Sequence, residues 1–223
     1  MGGVKVSLQD IILQRKSVRH YDPNYAIERK EILDSIELAA KSPNGNNIQS
    51  TRYLLIEDKE LRAKVRPIAY NQEQVETSSY LILILGDYRT FHAENIHAIQ
   101  DKALEKGYFT QETKTHLTNA ALGYYRNMSN QDYLKELVRD GSLAAMTLVL
   151  ILNEKGYQTI TMSGYDKDAL FKVLNIPQHY EDIMLLSVGR GIQEGHSTVR
   201  HDIEEITFID RVPSLLLGND WNP

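Results

Sequence analysis

Apolar residues recur along the chain at two spacings, helical and strand-like, and the two together predict helices laid around a small sheet. Ser7 with Asp10 three positions on is a capping pattern, and Leu8, Ile11 and Ile12 then fall at helical spacing. A second helix is predicted over 28–41, with Ile32, Leu33, Ile36, Ala39 and Ala40 on one face. Ser42-Pro43 stops it, because proline disfavours helix before it and cannot donate within it. Residues 52–56 read as a strand, followed by a helix started by Asp58. The unbroken apolar run at 80–85 predicts a strand buried on both faces. Residues 92–125 read as mostly helical, with Gly107 and Gly123 as breaks.

The strongest helical pattern covers 133–155. Its second half is apolar almost all round, which predicts a central, buried helix shared with a partner subunit. Lys155 and Gly156 supply a cation in the last turn and a C-cap. Strands are predicted at 157–162 and 182–188, with a helix over 166–174 between them. No repeat, low-complexity tract or linker divides the chain. The expected fold is therefore one α+β (mixed α/β) domain over 1–223, a sandwich with a small central sheet wrapped by helices. Within it, 207–223 form an apolar tail that carries Leu215, Leu216, Leu217 and Trp221. So apolar a terminus is expected to pack on the body or on a partner subunit.

Composition narrows the chemistry. The 223 residues are 42% apolar and 25% charged, the balance of a soluble globular protein. A net charge of -5 argues against a nucleic-acid partner. The lack of cysteine removes disulfides, thiolate nucleophiles, iron–sulfur clusters and Cys-based zinc sites together. The N-terminal MGGVKVSLQD has no signal-peptide core, and Val6 breaks the myristoylation pattern. The longest apolar run, 143–152 broken only by Thr147, is far short of the ~20 residues that cross a bilayer. A cytoplasmic protein with no membrane contact is expected. Asn127-Met128-Ser129 matches a glycosylation acceptor and reads as chance without a secretory signal.

The seven histidines lack metal-ligand spacing, His92 and His97 being one residue off an i, i+4 pair, so no metal site is expected. No G-x-S-x-G elbow marks a hydrolase. Gly189-Arg190-Gly191 lacks the G-x-G-x-x-G fingerprint of a Rossmann site.

One constellation does carry chemistry. Arg15-Lys16-Ser17-Val18-Arg19 follows the first helix directly. An extended exit would point Ser17 and Arg19 to the same side, and an Arg–Ser–Arg cluster suits a phosphate monoester. The plainer reading is that Arg15 and Lys16 only complement the carbonyl end of the helix dipole.

Three further segments stand in order behind it. They are Ser42-Pro43-Asn44-Gly45-Asn46-Asn47-Ile48-Gln49, Tyr70-Asn71-Gln72-Glu73-Gln74 and Thr161-Met162-Ser163-Gly164-Tyr165-Asp166. With these four segments the chain resembles the nitroreductase family of flavoproteins over about 8–206. The resemblance implies an intertwined homodimer with FMN at the subunit boundary. It assigns Arg15 and Ser17 (with Lys16 between them) to the phosphate and ribityl chain, and Arg19 to the pyrimidine side of the ring. Pro43, Asn44, Gly45 and Asn47 match the loop that reaches the other subunit's flavin. Asn71 and Gln74 match the pair at the pyrimidine edge, Ser163 and Gly164 the turn near N5, and Arg200 a late phosphate-binding arginine.

These residue types suit those roles. Amide side chains offer the donor and acceptor that a flavin edge needs, and a cation there favours the reduced state. Two positions depart from the family: Gln74 stands where some members have lysine, and Thr198 replaces a lysine two residues before Arg200. Phosphate binding then rests more on Arg15 and Arg200.

The expected reaction takes a hydride from NADH or NADPH to flavin N5 and on to an electron-poor small molecule such as a nitroaromatic, a quinone or an enone. No side chain need act as a catalyst, because the chemistry lies on the flavin. Dehalogenation or ring dehydrogenation on the same fold, and a flavin-binding protein without turnover, are the alternatives. In the family, the region holding Tyr108, Phe109, Tyr124 and Tyr125 covers the open flavin face. The plainer reading makes these ordinary amphipathic aromatics on helices.

Overall fold

A computed structural model describes residues 7–212. Four strands, β1 (Thr51–Ile56), β2 (Tyr80–Asp87), β3 (Gln158–Met162) and β4 (Tyr180–Gly189), form one antiparallel sheet in the order β1-β2-β4-β3. The apolar run at 80–85 becomes β2, a central strand buried along its whole length. Strand alternation divides its side chains between two cores. Leu81, Leu83 and Leu85 pack with Val65, Leu170 and Leu185 on one face; Ile82 and Ile84 pack with Ile32, Leu148 and Leu152 on the other.

The first face is covered by α3 (Lys59–Ile68) and α8 (Lys167–Leu174), capped by Asp58 and Asp166. The second is covered by α2 (Arg29–Ala39) and the long α7 (Asn130–Glu154). Ahead of these, α1 (Leu8–Gln14) begins with the reciprocal Ser7–Asp10 capping box that the sequence predicts. The short α4 (Gln74–Thr77) leads into β2, and α9 (Ile203–Ile206) lies beyond β4. A third core joins α5 (Ala93–Glu105), α6 (Gln111–Tyr125) and α7 through Ile48, Phe91, Ile96, Tyr125 and Leu137. No described helix is long and apolar enough to cross a membrane.

Two expectations need correction. Gly107, at φ 72°, does break the chain between α5 and α6, but Gly123 lies inside α6 with open space where a Cβ would stand. The long helix starts at Asn130, before the apolar pattern begins, because Ser129 and Asp132 form a capping box there. The triplet 127–129 is thus a helix start. In the second half of α7, Leu143 and Met146 are 43% and 46% exposed in the single chain, which leaves open the face that the shared-helix expectation gives to a partner. Of the predicted tail, 207–212 are exposed, and 213–223 lie outside the described residues.

Two glycines set the distance between α7 and the sheet. A Cβ on Gly86 of β2 would stand 2.8 Å from Leu137 Cβ, and one on Gly141 of α7 would stand 2.9 Å from Ile183 Cγ1. Leu137 is fully buried and cannot retreat. Gly86→Ala is therefore expected to cost about 1–3 kcal/mol, the usual range for an overfilled core. Urea denaturation checks it, and an unchanged midpoint would mean that the helix shifts freely.

Candidate functional site

The α1 helix ends at Arg15, whose N–H donates to Ile11 O at 2.9 Å. The chain then runs extended beside β3: Ser17 bridges Thr159 in parallel register, and Val18 N–H donates to Thr159 O at 3.1 Å. Val18 enters the core, which turns the two residues beside it the other way. Ser17 and Arg15 line a cavity of about 330 Å³ whose walls are Ser142, Ala145, Met146 and Val149 of α7, with Thr159–Thr161 of β3. Among the described residues, the half-buried Arg15 guanidinium and the Ser17 hydroxyl have no protein hydrogen-bond or ion-pair partner.

The other residues of the Arg15–Arg19 run do not line this cavity. Lys16 pairs with Glu194 at 3.1 Å and lines a neighbouring cleft of about 890 Å³. Arg19 is exposed and lines neither space. After β4 the chain returns along this segment, with Tyr21 bridging Gly191 and Ile192 N–H donating to His20 O. Gly195 lies so close that a Cβ would stand 2.6 Å from Ser17 O. Arg200, five residues on, is exposed and donates to Thr198 Oγ1 and Val199 O, both at 2.7 Å. The threonine that replaces the family's lysine is thus a partner of Arg200 itself, and Arg200 is not brought to Arg15 in the single chain.

A second cluster lies where β3 ends. Tyr70 and Asn71 adopt left-handed conformations at φ 53° and 58°, and both are exposed. Gln72 Nε2 donates to Gly164 O at 2.9 Å. Gln74 is only 3% exposed and turns inward, its Nε2 donating to Gln72 Oε1 at 2.9 Å and to Met162 Sδ at 3.2 Å. The structure therefore joins the Asn71–Gln74 segment to the Ser163–Gly164 turn, but through Gln72 and Met162. Sequence reasoning passed over both, since neither residue type signals a role before the two segments meet.

The third cluster is the loop after α2. Gly45–Asn47 form a 3-10 turn in which Asn46 and Asn47 are left-handed, at φ 49° and 54°, and Gln49 follows at φ 53°. Left-handed residues other than glycine persist only where their surroundings hold them. Here Gly45 N–H donates to Asp140 at 3.1 and 3.3 Å, Tyr125 OH donates to Gly45 O at 3.2 Å, and Asn46 Nδ2 donates to Tyr125 OH at 3.1 Å. Burial, with Glu136 nearby, raises Asp140 from its ordinary value, and burial pushes Tyr125 up to about 12. The polar contacts of Gly45 and Asn46 go to α6 and α7, Ile48 packs against Phe91 and Ile96 while its carbonyl accepts from Asn95 of α5 at 3.1 Å, and no residue of the loop lines the Arg15 cavity.

The Nitroreductase family profile matches residues 12–190, which span all three clusters. The chain belongs to the nitroreductase family. It is 31% identical over 198 residues to YodC of Bacillus subtilis, classed as an NAD(P)H nitroreductase, covering 89% of this chain and 96% of that one. It is 30% identical over 208 residues to the CLA biosynthesis enone reductase of Lactiplantibacillus plantarum, covering 92% and 94%. Among solved structures, a nitroreductase-class protein of Exiguobacterium sibiricum, crystallised in complex with FMN, superposes with a TM-score of 0.87 at 32% identity. That superposition covers 94% of this chain and all of the other.

In this nitroreductase-family chain one buried cation fixes the approach to the second cluster. Arg62 of α3 is 4% exposed and donates to Val75 O at 2.7 Å and to Ser78 O and Oγ at 2.5 and 2.9 Å. Burial lowers it to about 10. Arg62→Met would orphan those carbonyls, so a loss of about 3 kcal/mol is expected in chemical denaturation. A loss under about 1 kcal/mol would show that water replaces the guanidinium there.

Proposed function

We propose that this chain is an FMN-dependent NAD(P)H oxidoreductase that works as a homodimer and reduces an electron-poor small molecule. The observation that carries the reading is the Arg15–Ser17 pair, a half-buried guanidinium and a hydroxyl that no protein group engages, at the mouth of a cavity walled by β3 and α7. A guanidinium fork beside a hydroxyl fits a phosphate monoester, because it offers paired charged donors and a third neutral one. The donor set therefore fits FMN, the group seen in the Exiguobacterium sibiricum protein.

Bound FMN supplies the redox chemistry, accepting a hydride from NADH or NADPH at N5 and passing the reducing equivalents to the acceptor. The chain's own residues bind and orient. Arg15 and Ser17 would hold the phosphate end, with Arg200 a further cation for it. Arg19 supplies positive charge on the pyrimidine side, where reduction places negative charge. Asn71 offers donor and acceptor to the ring edge. Gln74 uses its amide donor inside the protein, so it would act by holding Gln72, which in turn holds the Ser163–Gly164 turn. Reduction of an enone is within the acceptor range, in line with the name of the Lactiplantibacillus plantarum relative.

The homodimer reading rests on two features. Apolar side chains are exposed on α1 (Leu8, Ile12, Leu13), α2 (Leu33, Leu38) and α7 (Leu143, Met146), and a partner subunit would cover them. The Pro43–Asn47 loop, held away from its own chain's cavity, is then free to complete the partner's.

Purified protein is expected to show a flavin absorbance spectrum, which anaerobic NADH or NADPH bleaches and a quinone or enone restores. Protein that stays colourless with added FMN would overturn the assignment. Arg15→Ala should weaken FMN binding at least ~10-fold, the loss typical of one charged hydrogen bond, with the circular dichroism spectrum unchanged. Sedimentation should give a dimer; a monomer that keeps its flavin would refute the shared site.

A further inference from the structure

Among the polar groups that the proposed reaction does not use, Asp140 is the most deeply committed. It lies in the middle of α7, is 2% exposed, and faces away from the Arg15 cavity. Its carboxylate accepts from Gly45 N–H at 3.1 and 3.3 Å and from Ser50 Oγ at 3.4 Å, so it ties both ends of the strained loop to one point. The loop comes so close that a Cβ on Gly45 would stand 3.1 Å from Glu136 Oε2 and from Tyr125 OH. A side chain at position 45 would therefore push Glu136 or Tyr125 back by a few tenths of an ångström.

We propose that Asp140 is a positioning residue: its carboxylate, acting on Gly45 and Ser50 with Tyr125 closing the opposite side, holds the Pro43–Gln49 loop in the shape that presents Asn44 and Asn47 to the flavin site. The inference rests on the reading above that this loop completes a flavin site.

A structural role alone would give this position to a neutral residue. A buried carboxylate beside a second one, Glu136 (5% exposed), is unfavourable for the fold. The groups that face Asp140 are Glu136 and Arg139 from α7, Tyr125 from α6, and Arg52 of β1, which shares its cleft. Of the two cations, Arg139 is drawn to Glu136 at 2.6 Å and Arg52 to Asp87 at 3.4 Å. The neighbours that remain for Asp140 are the loop N–H and the Ser50 hydroxyl. Since burial raises its value, Asp140 favours the fold in its protonated form, and that contribution is lost as pH rises through the raised value. The loop contact has the opposite sign, because Gly45 N–H binds a carboxylate about twice as strongly as a neutral acceptor. Loop order thus falls as pH drops, while the fold's contribution from this group rises.

The opposed signs define the test, Asp140→Asn, measured first on flavin-free protein. At pH 7 the melting temperature should hold or rise, while amide hydrogen exchange in a peptide covering 43–50 accelerates about tenfold and peptides from the sheet stay unchanged. In the same variant FMN affinity should fall several-fold, and the acid limb that wild-type affinity shows should be absent. Unchanged exchange at 43–50, or faster exchange with unaltered FMN affinity, would overturn the proposal. Should the variant not fold, the Gly45 amide resonance of the wild-type chain reads the same bond. Its shift should titrate with a midpoint above the ordinary aspartate range, and a pH-independent shift would refute the bond. Wild-type protein that takes up no FMN would sink the functional reading instead, and the exchange measurement would still decide whether Asp140 holds the loop.

Discussion

The contact between α7 and the sheet, with Leu137 seated on Gly86 and Ile183 against Gly141, is the constraint on which the other features depend. A helix is a rigid ruler, so fixing α7 at these two points fixes everything its remaining faces touch. Asp140 and Ser142, two positions apart, point in nearly opposite directions. The first holds the loop after α2, and the second helps to wall the Arg15 cavity. One helix thus positions two separate groups of site residues, and a shift along its axis would move both.

Charge is distributed unevenly between those groups. Around the cavity, Lys16 is matched by Glu194, but Arg15 is left without a protein partner among the described residues. An unmatched, half-buried cation gains more from an anionic ligand than a surface cation does, so binding there also stabilises the fold by mass action. On the far side of α7 the imbalance is reversed: two buried carboxylates share a few donors, and the loop backbone supplies one of them. The first arrangement suits holding a ligand, and the second suits holding the protein's own chain.

Much of the fold was legible because it is written in local signals. The capping box at Ser7, the aspartates at 58 and 166 that open α3 and α8, and the apolar run of β2 each act over a few residues. Errors arose where a local signal was judged without its surroundings. Gly123 reads as a break, yet a glycine on the open side of a helix costs only about 1 kcal/mol, which the packing of α6 absorbs.

The order of elements, the absence of cysteine chemistry, the motif that leaves Arg15 and Ser17 side by side, and membership in a flavoprotein family were all determined by the linear chain. They depend on neighbours in sequence or on the order of motifs. Which amide of the 70–74 segment turns inward, that Gln72 meets the Gly164 carbonyl, and that a buried acid in α7 grips the 43–49 loop were decided only in three dimensions. The physical reason is that a hydrogen bond between residues about a hundred positions apart leaves no periodicity or spacing in either segment. It exists only once packing has brought the two together and removed the water that would otherwise compete.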